Sequence, residues 1–277
     1  MDPHQYCQEK AAASGSSFYY SFLFLPPERR RAITALYAFC REVDDVVDEC
    51  TDAAVARAKL AWWRNEIAAA YRGGAQHPVA RALAEVAPRY SLPEARLNEI
   101  IDGMQMDLDY NRYPDFATLE RYCHRVAGVV GLLSAEIFGY ADRRTLDYAA
   151  NLGLAFQLTN IVRDVGEDAR RNRIYLPLDE LARHGVGETD ILQGRETDNF
   201  KQLMAFQIER AQDYYRAAFE RLPAADRRPQ RAGIIMAAIY QTLLEEIRRD
   251  GCRVLGQRTS LTPVRKLWIA WKTWIKG

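Results

Sequence analysis

Apolar residues recur every three or four positions along most of this chain, which is the spacing of an amphipathic helix. The 11 prolines leave long stretches without a helix breaker, and the alternating pattern of a strand is nearly absent. The pattern therefore predicts an all-α fold, with helices near residues 28–49, 53–72, 77–89, 94–110, 115–139, 142–168, 196–221, 229–250 and 262–275.

Residues 170–195 interrupt this periodicity, because a proline and several glycines are concentrated there. We expect an irregular segment with one short helix at 178–183, and long irregular segments of this kind are often functional. Elsewhere no linker rich in glycine, serine or proline divides the sequence. The chain is therefore expected to form one domain over residues 1–277.

The composition excludes several classes of partner and site. A formal net charge of +1 provides no global field for nucleic acid, which is therefore not expected to bind. The 5 cysteines are scattered without a Cys-x-x-Cys pair, which argues against a disulfide framework or a zinc site. Together with an amino-terminal sequence that lacks a signal pattern, they predict a cytoplasmic protein. The longest apolar run is too short to cross a bilayer.

A first acidic motif ends the predicted helix at residues 28–49. Asp44 and Asp48 are four residues apart, so both carboxylates leave the same helix face about one turn apart. Like charges at this spacing cost roughly 0.2–0.5 kcal/mol, and acids at a helix C-terminus also oppose the helix dipole. A bound metal ion would remove both conflicts, whereas a solvated surface face is the ordinary alternative.

A second acidic motif ends the predicted helix at residues 142–168. Asn160, Asp164 and Asp168 lie along one stripe of this helix, with Gln157 about one turn earlier. Oxygen ligands without histidine or cysteine favour Mg²⁺, which uses one or two carboxylates together with substrate phosphates. Two such helices facing each other would form a clamp for a diphosphate.

Two further charged segments each have two interpretations. Asp107 lies one helical turn after Gly103, whose missing side chain would admit a substrate or another helix; the alternative is an ordinary helix end. The basic run at residues 170–173 ends in Arg173 and directly follows the second motif. Such a run is usually solvated, but beside a diphosphate its guanidinium groups would match the phosphate oxygens.

The two ends of the chain are similarly open to interpretation. Residues 14–20 offer hydroxyl and backbone N–H groups for a secondary phosphate contact, or form a plain turn ahead of the first helix. Residues 264–276 combine tryptophans with basic residues, which is typical of a helix at a bilayer interface. The alternative for this second segment is a helix that packs on the bundle.

These motifs together resemble the squalene/phytoene synthase family of head-to-head isoprenoid synthases. The resemblance covers nearly the whole chain and rests on residues 16–18, 36–48, 103–107, 122–131 and 157–177. It implies a helical bundle of the class I isoprenoid synthase type with a central cavity. Within the family the sequence looks closest to the presqualene diphosphate synthases of bacterial hopanoid pathways.

The resemblance also implies roles for individual residues. Mg²⁺, with Mn²⁺ as an alternative, would be bound by Asp44, Asp48, Asn160, Asp164 and Asp168. Diphosphate would be contacted by Ser17, Tyr37, Arg41, Arg163 and Arg173. The reacting centre would be lined by Asp107, Tyr122 and Gln157, so that Asp107 and Tyr122 join the four clamp aspartates as catalytic residues. The apolar, glycine-containing segment at 122–131 would hold prenyl chains, or would serve tight helix packing.

The implied reaction is the Mg²⁺-dependent condensation of two farnesyl diphosphates to presqualene diphosphate, without NADPH, for squalene or hopanoid biosynthesis. A phytoene synthase that uses C20 substrates, or a full squalene synthase, is the alternative with related chemistry. A non-catalytic helical assembly factor is the alternative of another class, and retention of all four clamp aspartates argues against it. The implied partners are two farnesyl diphosphate molecules and, through residues 264–276, the inner membrane surface.

Overall fold

The computed structural model describes residues 2–13 and 17–276, except for the side chains of Ser17, Tyr19, Tyr20 and Lys276. Over these residues the chain is helical, and its only β feature is an isolated bridge between Arg112 and Ile174. The α-helices in chain order are α1 Pro3–Ala13, α2 Ser17–Phe22, α3 Pro27–Glu49, α4 Ala53–Tyr71, α5 Pro78–Tyr90, α6 Glu94–Asp109, α7 Phe116–Cys123, α8 Val129–Phe138, α9 Arg144–Arg170, α10 Leu178–Arg183, α11 Glu188–Leu192, α12 Asp198–Arg221, α13 Arg231–Arg249 and α14 Pro263–Lys276.

The long helices agree with those predicted from periodicity, and α10 occupies the residues predicted for the short helix. The predicted helix at 115–139 is α7 and α8 joined by a π-helical turn, His124–Gly128. Helices α1, α2 and α11 were not predicted from the sequence. It was also wrong to place residues 14–20 ahead of the first helix, because α1 precedes them; residues 14–16 lie outside the described part of the chain.

Helix starts are fixed by short polar side chains that accept hydrogen bonds from the first turn. Asp52 accepts from the amide of Ala54 at 2.7 Å at the start of α4, and Asp115 accepts from the amide of Thr118 at 2.8 Å at the start of α7. Each such cap stabilises its helix by about 0.5–2 kcal/mol. At α3 a proline in the first turn supplies the preset backbone angle instead.

Helix α9 runs through the centre of the molecule and packs against α8, α12, α13 and the π-helical turn. One buried cluster surrounds α9, α12 and α13, and a second surrounds α3 to α6. The backbones of α9 and the turn approach closely, since a Cβ atom on Gly153 would clash with the carbonyl oxygen of Ala127. Tight packing, one of the two interpretations of residues 122–131, therefore holds at this crossing.

Replacing Gly153 with alanine is expected to destabilise the fold by about 1–3 kcal/mol, because a methyl group has no space at this crossing and the helices must separate. Urea unfolding followed by circular dichroism measures the change. Gly74→Ala is the matched control, since the nearest atom to an added Cβ there is 3.9 Å away. Equal midpoints for the two variants would contradict the close approach.

Candidate active site

The two acidic motifs, at the ends of α3 and α9, lie close to each other, and the region between them is here called the cleft. Arg173, just beyond α9, donates a hydrogen bond to Oδ1 of Asp48 at 3.1 Å, and Arg171 forms an ion pair with the same oxygen at 3.0 Å. Asp48 belongs to α3, so these arginines join the two motifs directly. The basic run that follows the second motif therefore contacts the first motif through Arg171 and Arg173.

Asp107, on α6, lies between the two motifs. Its carboxylate accepts hydrogen bonds from the hydroxyl groups of Tyr122 at 2.8 Å and Tyr175 at 2.7 Å. Desolvation raises the pKa of Asp107 to about 6, against the opposing effects of the Tyr175 hydrogen bond and the Arg173 charge. Of the two interpretations of Asp107, a plain helix end therefore does not describe its surroundings.

The residues after α9 are held against the loop that follows α6. The amide of Ile174 donates to the carbonyl of Asn111 at 3.0 Å, and the amide of Leu178 donates to the carbonyl of Tyr113 at 2.9 Å. The ring of Tyr175 stacks on Tyr113 with centroids 5.6 Å apart. These contacts fix the orientation of Arg173 and Tyr175, the residues on either side of Ile174, which forms the isolated bridge with Arg112.

Two carboxyl groups in the cleft have raised pKa values, so they ionise less readily than an exposed aspartate does. Desolvation raises the pKa of Asp44 to about 7; Arg41 opposes this, whereas the charges of Asp48 and Asp107 add to it. Desolvation likewise raises the pKa of Asp168 to about 8, and the charges of Asp164 and Asp107 contribute further. The charge of Asp107 thus raises the pKa of one residue in each motif, which indicates that Asp107 lies close to both.

A cationic pocket lies beside the second motif. Arg41, Arg163, Arg258 and Lys266 line it together with the Tyr37 side chain. Arg258 donates to Oδ1 of Asp164 at 2.8 Å, and Arg163 donates to the same carboxylate at 2.7 Å. Desolvation lowers the pKa of Lys266, and the charges of Arg163 and Arg258 lower it further. Cations gathered in this way are suited to an anion with several oxygens.

An apolar cavity extends from the cleft into the bundle between α3, α8, α9 and α13. Its two ends are marked along α9 by Asn160 beside the cleft and by Tyr148, twelve residues earlier, which is about 18 Å of helix. The walls include Phe18 and Phe156, whose ring centroids are 6.0 Å apart. The segment at 122–131 contributes Val126 to the wall, so it serves the cavity as well as helix packing.

Comparison with known proteins identifies the family. A sequence model of the squalene/phytoene synthase family matches residues 11–265. The chain belongs to the squalene/phytoene synthase family. It is 36% identical over 281 residues to phytoene synthase of Arthrospira platensis, covering 96% of this chain and 90% of that one. It is 37% identical over 270 residues to phytoene synthase 1 of Arabidopsis thaliana, covering 94% of this chain but 63% of that one.

Solved structures agree with this assignment. A dehydrosqualene synthase in complex with a ligand superposes with a TM-score of 0.90 at 28% identity, covering 99% of this chain and 96% of that one. The squalene synthase HpnC from Alicyclobacillus acidocaldarius superposes with a TM-score of 0.79 at 28% identity, covering 90% and 94%. The predicted all-α isoprenoid synthase fold is thereby confirmed. The family is of the prenyltransferase type and binds prenyl diphosphates.

Squalene/phytoene synthases use a divalent metal ion to bind diphosphate, and the residues of this cleft fit such an ion. The donor set consists of carboxylates and the Asn160 amide oxygen, which is buried and has no hydrogen-bond partner. Among the residues described by the structure, no three acidic, histidine or cysteine side chains are grouped so that they could hold a metal ion by themselves. Mg²⁺ does not require such a group, because it keeps coordination positions for substrate phosphates and water.

The structure brings together most of the residues singled out in the sequence, and adds others. The side chain of Ser17 lies outside the described part of the chain, whereas Gln157 accepts from the Asn160 amide at 3.3 Å. Three further residues of the site were not predicted, Tyr175, Arg258 and Lys266, although Tyr175 lies within the residues that carry the family resemblance. Arg258 lies in the irregular segment before α14, where periodicity carries no signal, and Lys266 lies on α14, whose basic residues were predicted to face a bilayer.

No helix within the described residues is long and apolar enough to cross a membrane.

Proposed function

We propose that this squalene/phytoene synthase family member joins two farnesyl diphosphates head to head, producing presqualene diphosphate, one free diphosphate and a proton. The observations that support this most are that Asp107 acts on a carboxyl group of each acidic motif, and that Asn160 of the second motif lines a long apolar cavity. The high structural similarity to a dehydrosqualene synthase, whose name denotes a C30 product, supports the C15 substrate.

The reaction begins when the C1–O bond of the first farnesyl diphosphate breaks. In the proposal, Arg171 and Arg173 cover the departing diphosphate, and the allylic cation remains beside aromatic rings in a cavity that keeps water away. The alkene of the second molecule then attacks this C1 carbon, and loss of a proton closes the cyclopropane ring. Bound Mg²⁺ would neutralise charge on the diphosphate oxygens as the bond breaks.

The cationic pocket gives the second diphosphate a different role. In the proposal, the pocket lined by Arg258, Arg163 and Lys266 holds it as an intact ester, while the first diphosphate leaves between the acidic motifs. Two unlike sites for two identical substrates are what an unsymmetrical product requires. This arrangement also argues against the non-catalytic assembly factor, which has no use for two anion sites at one cavity.

Phytoene synthase is the second candidate, because the curated relatives of this chain are phytoene synthases. In the proposal, the cavity ends at Tyr148 and Gln230 and therefore favours the shorter chain. Both residues line the cavity; Tyr148 is 1% exposed, and Gln230 donates a hydrogen bond to the carbonyl of Gly139 at 2.9 Å. A C20 chain would have to displace these side chains.

Equal concentrations of C15 and C20 diphosphates, supplied together with Mg²⁺, test the proposal. The products are identified by mass. We expect a C30 cyclopropyl diphosphate in large excess over any C40 product. A C40 hydrocarbon as the main product would instead assign the protein to the phytoene synthases. Failure of both substrates to react, in a folded preparation, would favour the non-catalytic alternative.

Replacing Tyr148 with valine is expected to raise the relative use of the C20 substrate by about tenfold, since a pocket lengthened by a few carbon atoms changes discrimination by this amount. The competition assay described above measures the ratio. Tyr148→Phe is the matched control, because the hydroxyl group that it removes has no hydrogen-bond partner. An unchanged ratio in the valine variant would place the length limit elsewhere.

A further inference from the structure

Helix α14 presents a stripe of apolar side chains to solvent. Val264, Trp268, Trp271 and Ile275 follow one another at intervals of three or four residues, and each is about half exposed or more. Within the described residues, these side chains belong to the largest concentration of exposed apolar groups on one element. Exposed apolar groups that cluster in this way mark an interaction surface, whereas scattered ones do not.

The opposite side of α14 anchors it to the bundle. Ala270 is fully buried, and Ile269 packs against the cluster around α9 and α13. Arg265 pairs with Glu246 of α13 at 2.7 Å. The helix is thus held rigidly with its tryptophans outward, so the packing interpretation and the interfacial interpretation of this segment apply to different faces.

The charge around this stripe identifies its partner. Residues 251–277 contain six lysines and arginines and no acidic residue, although the whole chain has a net charge of only +1. Arg253, Arg258 and Arg265 of this segment pair with acidic residues of the bundle, whereas Lys272 follows Trp271 on α14. Helix α14 itself has basic residues and no acidic one, so a second copy docking through the same stripe would bring two basic helices together, which is unfavourable. Tryptophans flanked by basic side chains instead match the headgroup layer of an anionic bilayer.

Helix α14 also packs against α2, which lines the apolar cavity. Trp274 stacks on Phe24 with ring centroids 5.9 Å apart, and Phe24 follows α2, which carries the cavity residues Phe18 and Phe22. Lys266, on the inner face of the same helix, lines the cationic pocket. The surface that would meet lipid is therefore continuous with the elements that enclose the site.

We propose that α14 docks flat on an anionic lipid surface, with the side chains of Trp268, Trp271 and Ile275 inserted at the headgroup level and Lys272 beside anionic headgroups. Docking goes beyond the proposed function and does not depend on it. Its consequence for a prenyl diphosphate enzyme is that α2 and α14 would present the cavity to the layer in which a prenyl chain dissolves.

Co-sedimentation of the full chain with vesicles tests this docking. Vesicles of phosphatidylcholine alone and of an equimolar mixture with phosphatidylglycerol are compared at low and high salt. We expect the protein to bind the anionic vesicles and to bind them more weakly at high salt. In the Trp268→Ser/Trp271→Ser variant, binding should fall about tenfold. Lys272→Glu should weaken binding to the anionic vesicles only.

Trp62→Ser is the matched control, since Trp62 on α4 is 47% exposed and Trp271 is 48% exposed. The control variant should bind as the unmodified chain does, and circular dichroism should show that every variant is folded. Equal binding of the double variant and the unmodified chain would overturn the proposal. So would an oligomer in vesicle-free solution that the double variant abolishes, because the stripe would then be an interface between copies. Turnover of detergent-dispersed substrate tests the proposed function separately and should be unchanged in the double variant.

Discussion

Replacing Asp44 or Asp168 with asparagine should abolish turnover while the helical fold remains intact. Each change removes a carboxylate proposed to bind Mg²⁺, and the loss of several kcal/mol of charge stabilisation lowers the rate by about a thousandfold or more. Stability should be kept, because the raised pKa values of about 7 and about 8 show that both carboxylates are unfavourable when ionised in this cleft. Steady-state turnover and urea unfolding measure the two effects.

Asp102→Asn serves as the control for these variants. Asp102 lies on α6 near Asp107 but pairs with Arg64 of α4, outside the cleft. It should retain its turnover. Near-normal product formation by both the Asp44 and Asp168 variants at saturating Mg²⁺ would eliminate the diphosphate clamp.

Arg258→Gln should lower kcat by about one hundred- to one thousandfold, which is the usual effect of removing one positioned donor from a charged site. Arg258 donates to Asp164 and shares the cationic pocket with Arg163 and Lys266. Arg258→Lys should recover only part of the activity, because an ammonium group cannot make the paired contacts of a guanidinium group. Steady-state kinetics with farnesyl diphosphate measures each rate.

Arg253→Gln is the matched control for this series. Arg253 lies five residues earlier in the same irregular stretch, is exposed, and pairs with Asp250 at 2.7 Å. Its variant should behave as the unmodified enzyme. If the Arg258→Gln variant were as active as the unmodified enzyme, the proposal that this pocket holds the second diphosphate would be wrong.

Sequence periodicity was sufficient for the long helices because each buries a broad apolar stripe, as α3 does with Leu36, Phe39 and Val43. It failed for α1, which buries only Cys7 and Ala11, two small side chains that make no recognisable stripe. It also failed for the five residues of α11 and the six of α2. Helices this short depend on tertiary contacts, which local patterns do not contain.

The acidic motifs were predictable because helical spacing alone places Asp44 with Asp48 and Asp164 with Asp168 on common faces. Their mutual approach was not, since it depends on contacts such as that of Arg173 with Asp48, which are 125 residues apart. Arg258 and Lys266 were missed for the same reason. A single basic residue, whether in an irregular segment or on a helix, acquires a role only when the fold brings it beside Arg163.

The most direct test of the proposed head-to-head condensation is the stoichiometry of diphosphate release. Purified enzyme is given farnesyl diphosphate and Mg²⁺, with and without NADPH, and the quenched reaction is analysed for free diphosphate, diphosphate esters and hydrocarbon. We expect one diphosphate released for every two farnesyl diphosphates consumed, with presqualene diphosphate accumulating whether or not NADPH is present. Release of two diphosphates per pair of substrates, with squalene formed only when NADPH is added, would contradict this account and assign the enzyme to the reductive branch of the family.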